Sequence, residues 1–267
     1  MAEYAFLVDS TKCTGCRACQ VTCKQWNNLP AEDTTFFGGQ EYTNPKELSA
    51  ITFNHVKFSA VDRSDPEHPV WSMVHTKCYH CRDANCLIGC PKGAISKENG
   101  WTVIDHNKCI GCGACEMYCV YNVPHVLEKY RVKQYGTNVP LARDKSYKCH
   151  GCTSPARDVP ACAKVCPMGA LTWGKRSQMV KNATARLEVV KKKFPKAAVY
   201  GLKEFGGLNV LTILKDAPEA FGLPTDVKPI DPVVIKQRKE LFNLLCFLTP
   251  PVPALRRAAY KLADKIS

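Results

Sequence analysis

The sequence predicts an α+β fold built around cysteine-lined loops, and three observations predict it. Seventeen cysteines fall within 267 residues. Sixteen of them group into four runs, and the runs repeat in a fixed order. Short strand-like and helix-like segments lie between and after the runs, and no apolar stretch approaches the ~20 residues of a bilayer span.

Cysteine at this density implies disulfides, zinc or iron–sulfur clusters. Disulfide frameworks belong to short secreted chains with too little core. The N-terminal MAEYAFLVDSTKC lacks a basic region followed by an apolar one, so secretion on its own signal is not expected. The net charge of +13 suggests nucleic acid or a membrane surface, but that count treats cysteine as neutral. A cubane core of about +2 held by four thiolates carries roughly −2, so four of them bring about −8. The loaded protein is then mildly basic. With no nucleic-acid motif present, its excess lysine and arginine reads as compensation for metal charge.

The runs come in order. Residues 9–23 read DSTKCTGCRACQVTC and residues 105–119 read DHNKCIGCGACEMYC, both C-x2-C-x2-C-x3-C. Residues 78–91 form C-x2-C-x4-C-x3-C-P and residues 149–167 form C-x2-C-x9-C-x3-C-P, continuing as CPKGAI and CPMGAL. The A-B-A-B order looks like duplication of a two-motif unit. Inserts occupy 24–77 and 120–148. Beyond Pro167, Ser177–Phe194 reads as an amphipathic helix with Met179, Ala183, Leu187, Val190 and Phe194 on one stripe. Ser177 is its expected N-cap and Pro195 its stop. Ala197–Tyr200 and Asn209–Leu214 read as short strands around a Gly206-Gly207 turn. From Pro218 the proline-rich chain reads as an extended arm. Its apolar Leu241–Leu248 is too short to span a bilayer and reads as a short helix packed on protein.

In C-x2-C-x2-C, one tight loop supplies three thiolates to one cubane; the fourth comes from a remote cysteine, usually followed by proline, in another motif. Zinc sites use two separated ligand pairs, which these dense runs do not resemble. Four [4Fe–4S] clusters are therefore expected. Gly15, Gly111, Gly113 and Gly151 let the backbone turn between ligands and bring N–H groups near sulfur. Lys12, Lys77, Lys108 and Lys148 each precede the first cysteine of a motif and are candidates for offsetting cluster charge. His80 and His150 lie inside cysteine loops that already have enough thiolates, and Cys246 in LFNLLCFL reads as a buried inert thiol. No catalytic triad, phosphate loop or dinucleotide fingerprint is present, so catalysis by the chain alone is not expected.

Motifs two and three are nearest in sequence and form a natural ferredoxin-like pair, leaving one and four to pair around them. Exchanging fourth ligands puts Cys13, Cys16 and Cys19 with Cys166, and Cys149, Cys152 and Cys162 with Cys23. It likewise puts Cys78, Cys81 and Cys86 with Cys119, and Cys109, Cys112 and Cys115 with Cys90. Spacing alone leaves the rival open, in which motif one pairs with two and three with four.

Beyond the cysteines, CKQWNNLP at 23–30, the 177–194 helix, Val199-Tyr200-Gly201, GGLNVLTIL at 206–214 and GLP at 222–224 resemble one group. It is the four-cluster beta subunits of molybdenum or tungsten bis-pterin oxidoreductases, and within it the formate dehydrogenase beta subunits. The resemblance covers roughly residues 4–235. It implies two ferredoxin-like domains related by pseudo-twofold symmetry and the nested ligand exchange. The outer unit is 1–77 with 141–176, the inner unit 78–140, followed by a helix-and-strand segment over 177–216 and the arm over 217–267. It also implies that the cluster of Cys13, Cys16, Cys19 and Cys166 faces a large bis-pterin catalytic subunit, and that motifs two and three form the distal exit. The downstream acceptor is then a membrane cytochrome subunit, a cytochrome c or a ferredoxin.

The chain departs from that family in places. It ends in a proline-broken arm instead of a spanning helix, which points to a soluble version or one held by a partner. Val120 follows Cys119 where proline is usual, His125 stands where arginine is common, and motif four is short and lacks Asp-Arg after its second cysteine. None of these removes a ligand. The same module in another bis-pterin reductase, a free polyferredoxin and a zinc-binding module are the competing readings. The expected location is the cytoplasm, or the periplasm by co-export with a partner bearing a twin-arginine signal.

Overall fold

In the computed structural model, strand alternation sets the architecture. The structure describes residues 3–32, 34, 43–62, 70–127, 141–153 and 158–247, and positions 255, 258 and 262. Strand β1 (Tyr4–Asp9) is buried on both faces. Ala5 and Leu7 point one way and Phe6 and Val8 the other, into two separate apolar clusters.

The chain then runs through α1 (Ala18–Trp26), β2 (Asn54–Asp62), β3 (Val70–Lys77), α2 (Asn85–Ile88), β4 (Ile95–Glu98) and β5 (Trp101–Ile104). It continues with α3 (Ala114–Met117), β6 (His125–Val126), β7 (Ser146–Tyr147), α4 (Ala161–Val165), β8 (Leu171–Lys175) and α5 (Arg176–Lys191). Strands β9 (Ala198–Tyr200) and β10 (Val210–Leu214), a 3-10 turn at Pro218–Phe221 and α6 (Pro232–Phe247) complete it.

One four-stranded sheet has the order β8-β1-β10-β9, with β1 parallel to β10 and antiparallel to β8. Helix α5 covers one face through Met179, Ala183 and Val190, which meet Ala5, Leu7, Leu211 and Ile213. The opposite face carries Phe6, Val8, Val210 and Leu214, which pack with Trp101, Tyr200 and the thiols of Cys19 and Cys162. Cys13, Cys81 and Cys166 also pack against this second face. The hairpins β2–β3, β4–β5 and β6–β7 are separate two-stranded sheets among the loops.

Three expectations are corrected here. The 177–194 helix spans Arg176–Lys191 and has no side-chain cap; Lys175 precedes it because β8 runs directly into the helix, so Ser177 lies inside its first turn. It ends four residues before Pro195, while its apolar stripe is the expected one. Within the 177–216 segment, β9 and β10 join β1 and β8 in one sheet.

The arm is not extended throughout. Asp231 accepts the Val233 N–H at 2.8 Å, Pro232 occupies the first helical position, and 16 residues of helix follow. Ile235 and Phe242 are buried against Ala114 and Tyr118. The prolines at 218, 224 and 229 precede this helix, so proline content marks its flanks. Leu248 and the Cys246 side chain lie outside the described residues. No helix among the described residues is long and apolar enough to cross a membrane.

Candidate metal centres

All four cysteine runs fold alike. A loop carries the first two cysteines, and the third is the second residue of a short helix: Cys19 in α1, Cys86 in α2, Cys115 in α3 and Cys162 in α4. The fourth lies within the helix or shortly after it. Helix α1 packs on α4 and α2 on α3, so the runs approach in nested pairs.

Cys13, Cys16, Cys19 and Cys166 line one cavity. Cys23, Cys149, Cys152 and Cys162 line a second. Cys90, Cys109, Cys112 and Cys115 line a third. The remaining four sit together: burial raises the Cys81 thiol first, and Cys78, Cys86 and Cys119 raise it further. None of the sixteen motif cysteines forms a disulfide.

The four groups also follow one another. Burial, with the Cys162 thiol next, pushes Cys19 up to about 12, so the first group abuts the second. Burial pushes Cys149 up to about 12 against the pull of Lys77, with Cys162 and then Cys78 adding to it. Cys149 and Cys78 thus join the second group to the third. Burial raises Cys115 well above its usual value against a Ser146 hydrogen bond, with Cys86 adding to it. Cys86 and Cys115, on the packed helices α2 and α3, thus join the third group to the fourth.

The donor sets fit iron–sulfur cubanes. Among the described residues no group of three or more His, Cys, Asp or Glu is placed to hold a single metal ion, whereas four-thiol cavities recur. Burial pushes Cys86 and Cys112 up to about 12 and Cys119 to about 11. Such thiols are neutral at pH 7 without metal and give up their protons to iron.

Backbone and side-chain donors face the sulfurs. Ala94 N–H lies 3.3 Å from Cys90 Sγ and Ser146 N–H 3.4 Å from Cys109 Sγ. The Gly15 and Gly151 N–H groups hold down the Cys13 and Cys149 thiols against burial. Gly151 is required twice over, with φ +69° and a Trp101 ring atom 2.6 Å from where a Cβ would stand.

The histidines inside the loops serve as supports. His80 Nδ1 accepts the Thr102 N–H at 3.0 Å. His150 Nε2 lies 2.8 Å from Asn27 Oδ1, and Asn27 Nδ2 reaches Cys23 O at 2.8 Å and Cys23 Sγ at 3.5 Å. Burial, with Lys148 next, lowers His150 to about 4 and keeps it neutral. This relay ties the motif-four loop to the last cysteine of motif one.

The four lysines divide. Lys77 and Lys148 are 1% and 4% exposed, whereas Lys12 is exposed and Lys108 meets Asp105 at 3.8 Å on the surface. Sequence reasoning missed Asn27, which stands just outside its motif, and Ser146, which touches both Cys109 and Cys115 from β7. Ser146 carries no local signal, because the pairing of β6 with β7 places it there.

Comparison with known proteins identifies the family and the cluster type. Two models of the 4Fe-4S dicluster domain match, over residues 12–94 and 69–176. Their limits follow contiguous sequence, while the cavities group cysteines across it. The nitrate-inducible formate dehydrogenase iron–sulfur subunit of Escherichia coli K12 is 34% identical over 235 residues, covering 85% of this chain and 74% of that protein. The Hydrogenase-2 operon protein HybA of Escherichia coli O157:H7 is 29% identical over 252 residues, covering 82% and 72%. Formate dehydrogenase 2 subunit beta (cytochrome c-553) of Nitratidesulfovibrio vulgaris is 28% identical over 229 residues, covering 81% and 95%. With two dicluster domains and sixteen motif cysteines, this chain carries four [4Fe–4S] clusters. It belongs to the family of formate dehydrogenase iron–sulfur subunits, and it is an electron-transfer subunit.

Proposed function

We propose that this chain conducts electrons between a large molybdenum or tungsten bis-pterin subunit that oxidises formate and a downstream acceptor, and performs no catalysis itself. The observation that carries this reading is the succession of four thiol groups. Helix α1 packs on α4 with Cys19 of the first near Cys162 of the second, Cys149 of the second neighbours Cys78 of the third, and α2 packs on α3 with Cys86 of the third near Cys115 of the fourth. When bound, the clusters supply one-electron redox chemistry. The ligand sets are Cys13, Cys16, Cys19 and Cys166; Cys149, Cys152, Cys162 and Cys23; Cys78, Cys81, Cys86 and Cys119; and Cys109, Cys112, Cys115 and Cys90.

In this reading motifs one and four make an outer unit and motifs two and three an inner one, related by pseudo-twofold symmetry. The packing of α1 on α4 and of α2 on α3 supports that division. Cys16 is the exposed thiol of its set, which suits the first group to face the catalytic subunit. The acceptor at the far end is a membrane cytochrome subunit, a cytochrome c or a ferredoxin. Membrane attachment through a partner subunit, and export alongside a catalytic partner bearing a twin-arginine signal, are both compatible with this reading.

Similarity to HybA favours one second reading, the same module serving another oxidoreductase. Purification from the native source separates the two. Co-purification with a metal–pterin subunit and bleaching of cluster absorbance by formate are expected. A different catalytic partner with no bleaching by formate would overturn the first reading.

A further inference from the structure

The buried lysines carry an arrangement that their sequence positions conceal. Lys77 is followed directly by Cys78 and Lys148 by Cys149, yet neither lysine faces its neighbour's site. Lys77 ends β3, and successive side chains of an extended strand point to opposite sides. Cys78 turns to the third thiol group, while Lys77 lines the second cavity with Cys23, Cys149 and Cys162. Its Nζ has no hydrogen-bond partner among the described residues and lies 2.8 Å from the centre of the Phe6 ring, which lines the same cavity.

Lys148 repeats this in reverse. Cys149 turns to the second group, while the Lys148 ammonium interacts first with Cys78 and Cys86 of the third, with Cys149 after them, and is hydrogen-bonded to Cys78. Its Nζ also donates to the carbonyls of Thr102 and Cys149. Two chain segments thus pass between the second and third sites, each giving a thiol to one side and a cation to the other. These two sites, held mainly by motifs four and two, are the inner two of the succession and not the inner unit of motifs two and three. The outer sites have no counterpart in Lys12 or Lys108, which are exposed and screened by water and salt.

Each one-electron reduction adds a negative charge to a buried site, and a fixed cation beside it stabilises the reduced form. We propose that Lys77 and Lys148 set the reduction potentials of the two inner clusters in crossed fashion, Lys77 acting on the motif-four cluster and Lys148 on the motif-two cluster. Both hold the inner pair at higher potential than surface lysines could. This rests on the ligand assignment above.

The test uses the full chain in its native complex with Lys77→Met, Lys148→Met, the two Lys→Arg variants, and Lys12→Met and Lys108→Met as controls. Iron and sulfide are counted first, and EPR-monitored redox titration follows. Signals are assigned by their loss in Cys152→Ala and Cys81→Ala. Lys77→Met is expected to lower the motif-four potential by at least about tenfold in the redox equilibrium, about 59 mV for one electron. Lys148→Met is expected to do the same at the motif-two cluster, the Arg variants to restore both potentials, and the controls to shift neither.

Unchanged potentials with iron complete, or a shift at the lysine's own motif, would overturn the proposal. If the Met variants lose iron, retention by the Arg variants supports a role for the charge, and loss from both overturns it. A wild-type chain without four cubanes would instead overturn the ligand assignment, before any lysine variant is read.

Discussion

Replacing Arg186 by alanine tests how the fold holds the first metal loop. Arg186 lies on α5, and its Nε donates to Asp9 Oδ2 at 2.8 Å, while its Nη2 donates to Thr11 Oγ1 at 3.1 Å. Asp9 is 4% exposed and shapes the turn into Cys13: its carboxylate accepts the Thr11 N–H at 3.0 Å, and its carbonyl the Lys12 N–H at 3.1 Å. Removing one member of a fully buried ion pair costs about 3–5 kcal/mol. Here the Arg186 side chain is 35% exposed and Asp9 keeps its Thr11 donors, so the cost falls to that of a charge-assisted hydrogen bond, about 2 kcal/mol.

A loop loosened by about 2 kcal/mol opens about thirtyfold more often. Iron release to a chelator should therefore gain one fast phase, amounting to a quarter of the iron and about thirtyfold faster than in the wild type. Asp9→Asn should produce the same phase, and the double variant little more, because the two residues act as one pair. Equal acceleration of all the iron, or none, would refute a link that runs from α5 through Asp9 to the first loop alone.

Two further outcomes follow. Phe242→Ala empties a fully buried position on α6 at a cost of about 3–5 kcal/mol. An undocked 16-residue helix is marginal alone, so tryptic cleavage at Lys236, Arg238 and Lys239 should accelerate, and unchanged cleavage would contradict the packing. Cluster assembly should strengthen as pH rises. Burial holds the Cys119 and Cys149 thiols at about 11 and about 12, so the protonated form is favoured at neutral pH and iron must displace those protons. Uptake of iron and sulfide independent of pH between about 6.5 and 9 would contradict this.

The candidate ligands were legible because spacing is local: C-x2-C-x2-C and a distant Cys-Pro describe loops whose geometry needs no long-range information. Their grouping was less legible. Spacing left the rival pairing open, and it is the packing of α1 on α4 across more than a hundred residues that brings Cys23 beside Cys162. The α5 stripe could be read from Met179, Ala183 and Val190, but the parallel pairing of Phe6 with Val210 leaves no local trace. The 217–267 segment misled because the prolines at 218, 224 and 229 precede α6 and Pro232 opens it, so proline content marked the helix's start and not its absence. The four lysines looked equivalent in sequence. Only the direction of each side chain, set by strand and loop geometry, separates the buried pair from the exposed one.

Iron content of the Cys23→Ala/Cys152→Ala double variant tests the ligand exchange most directly. The wild-type chain should hold about sixteen iron atoms, four per cubane. If Cys23 and Cys152 share one cluster, each single variant and the double variant should all retain about twelve. A double variant that retains only about eight would place the two cysteines in different clusters and contradict the nested arrangement.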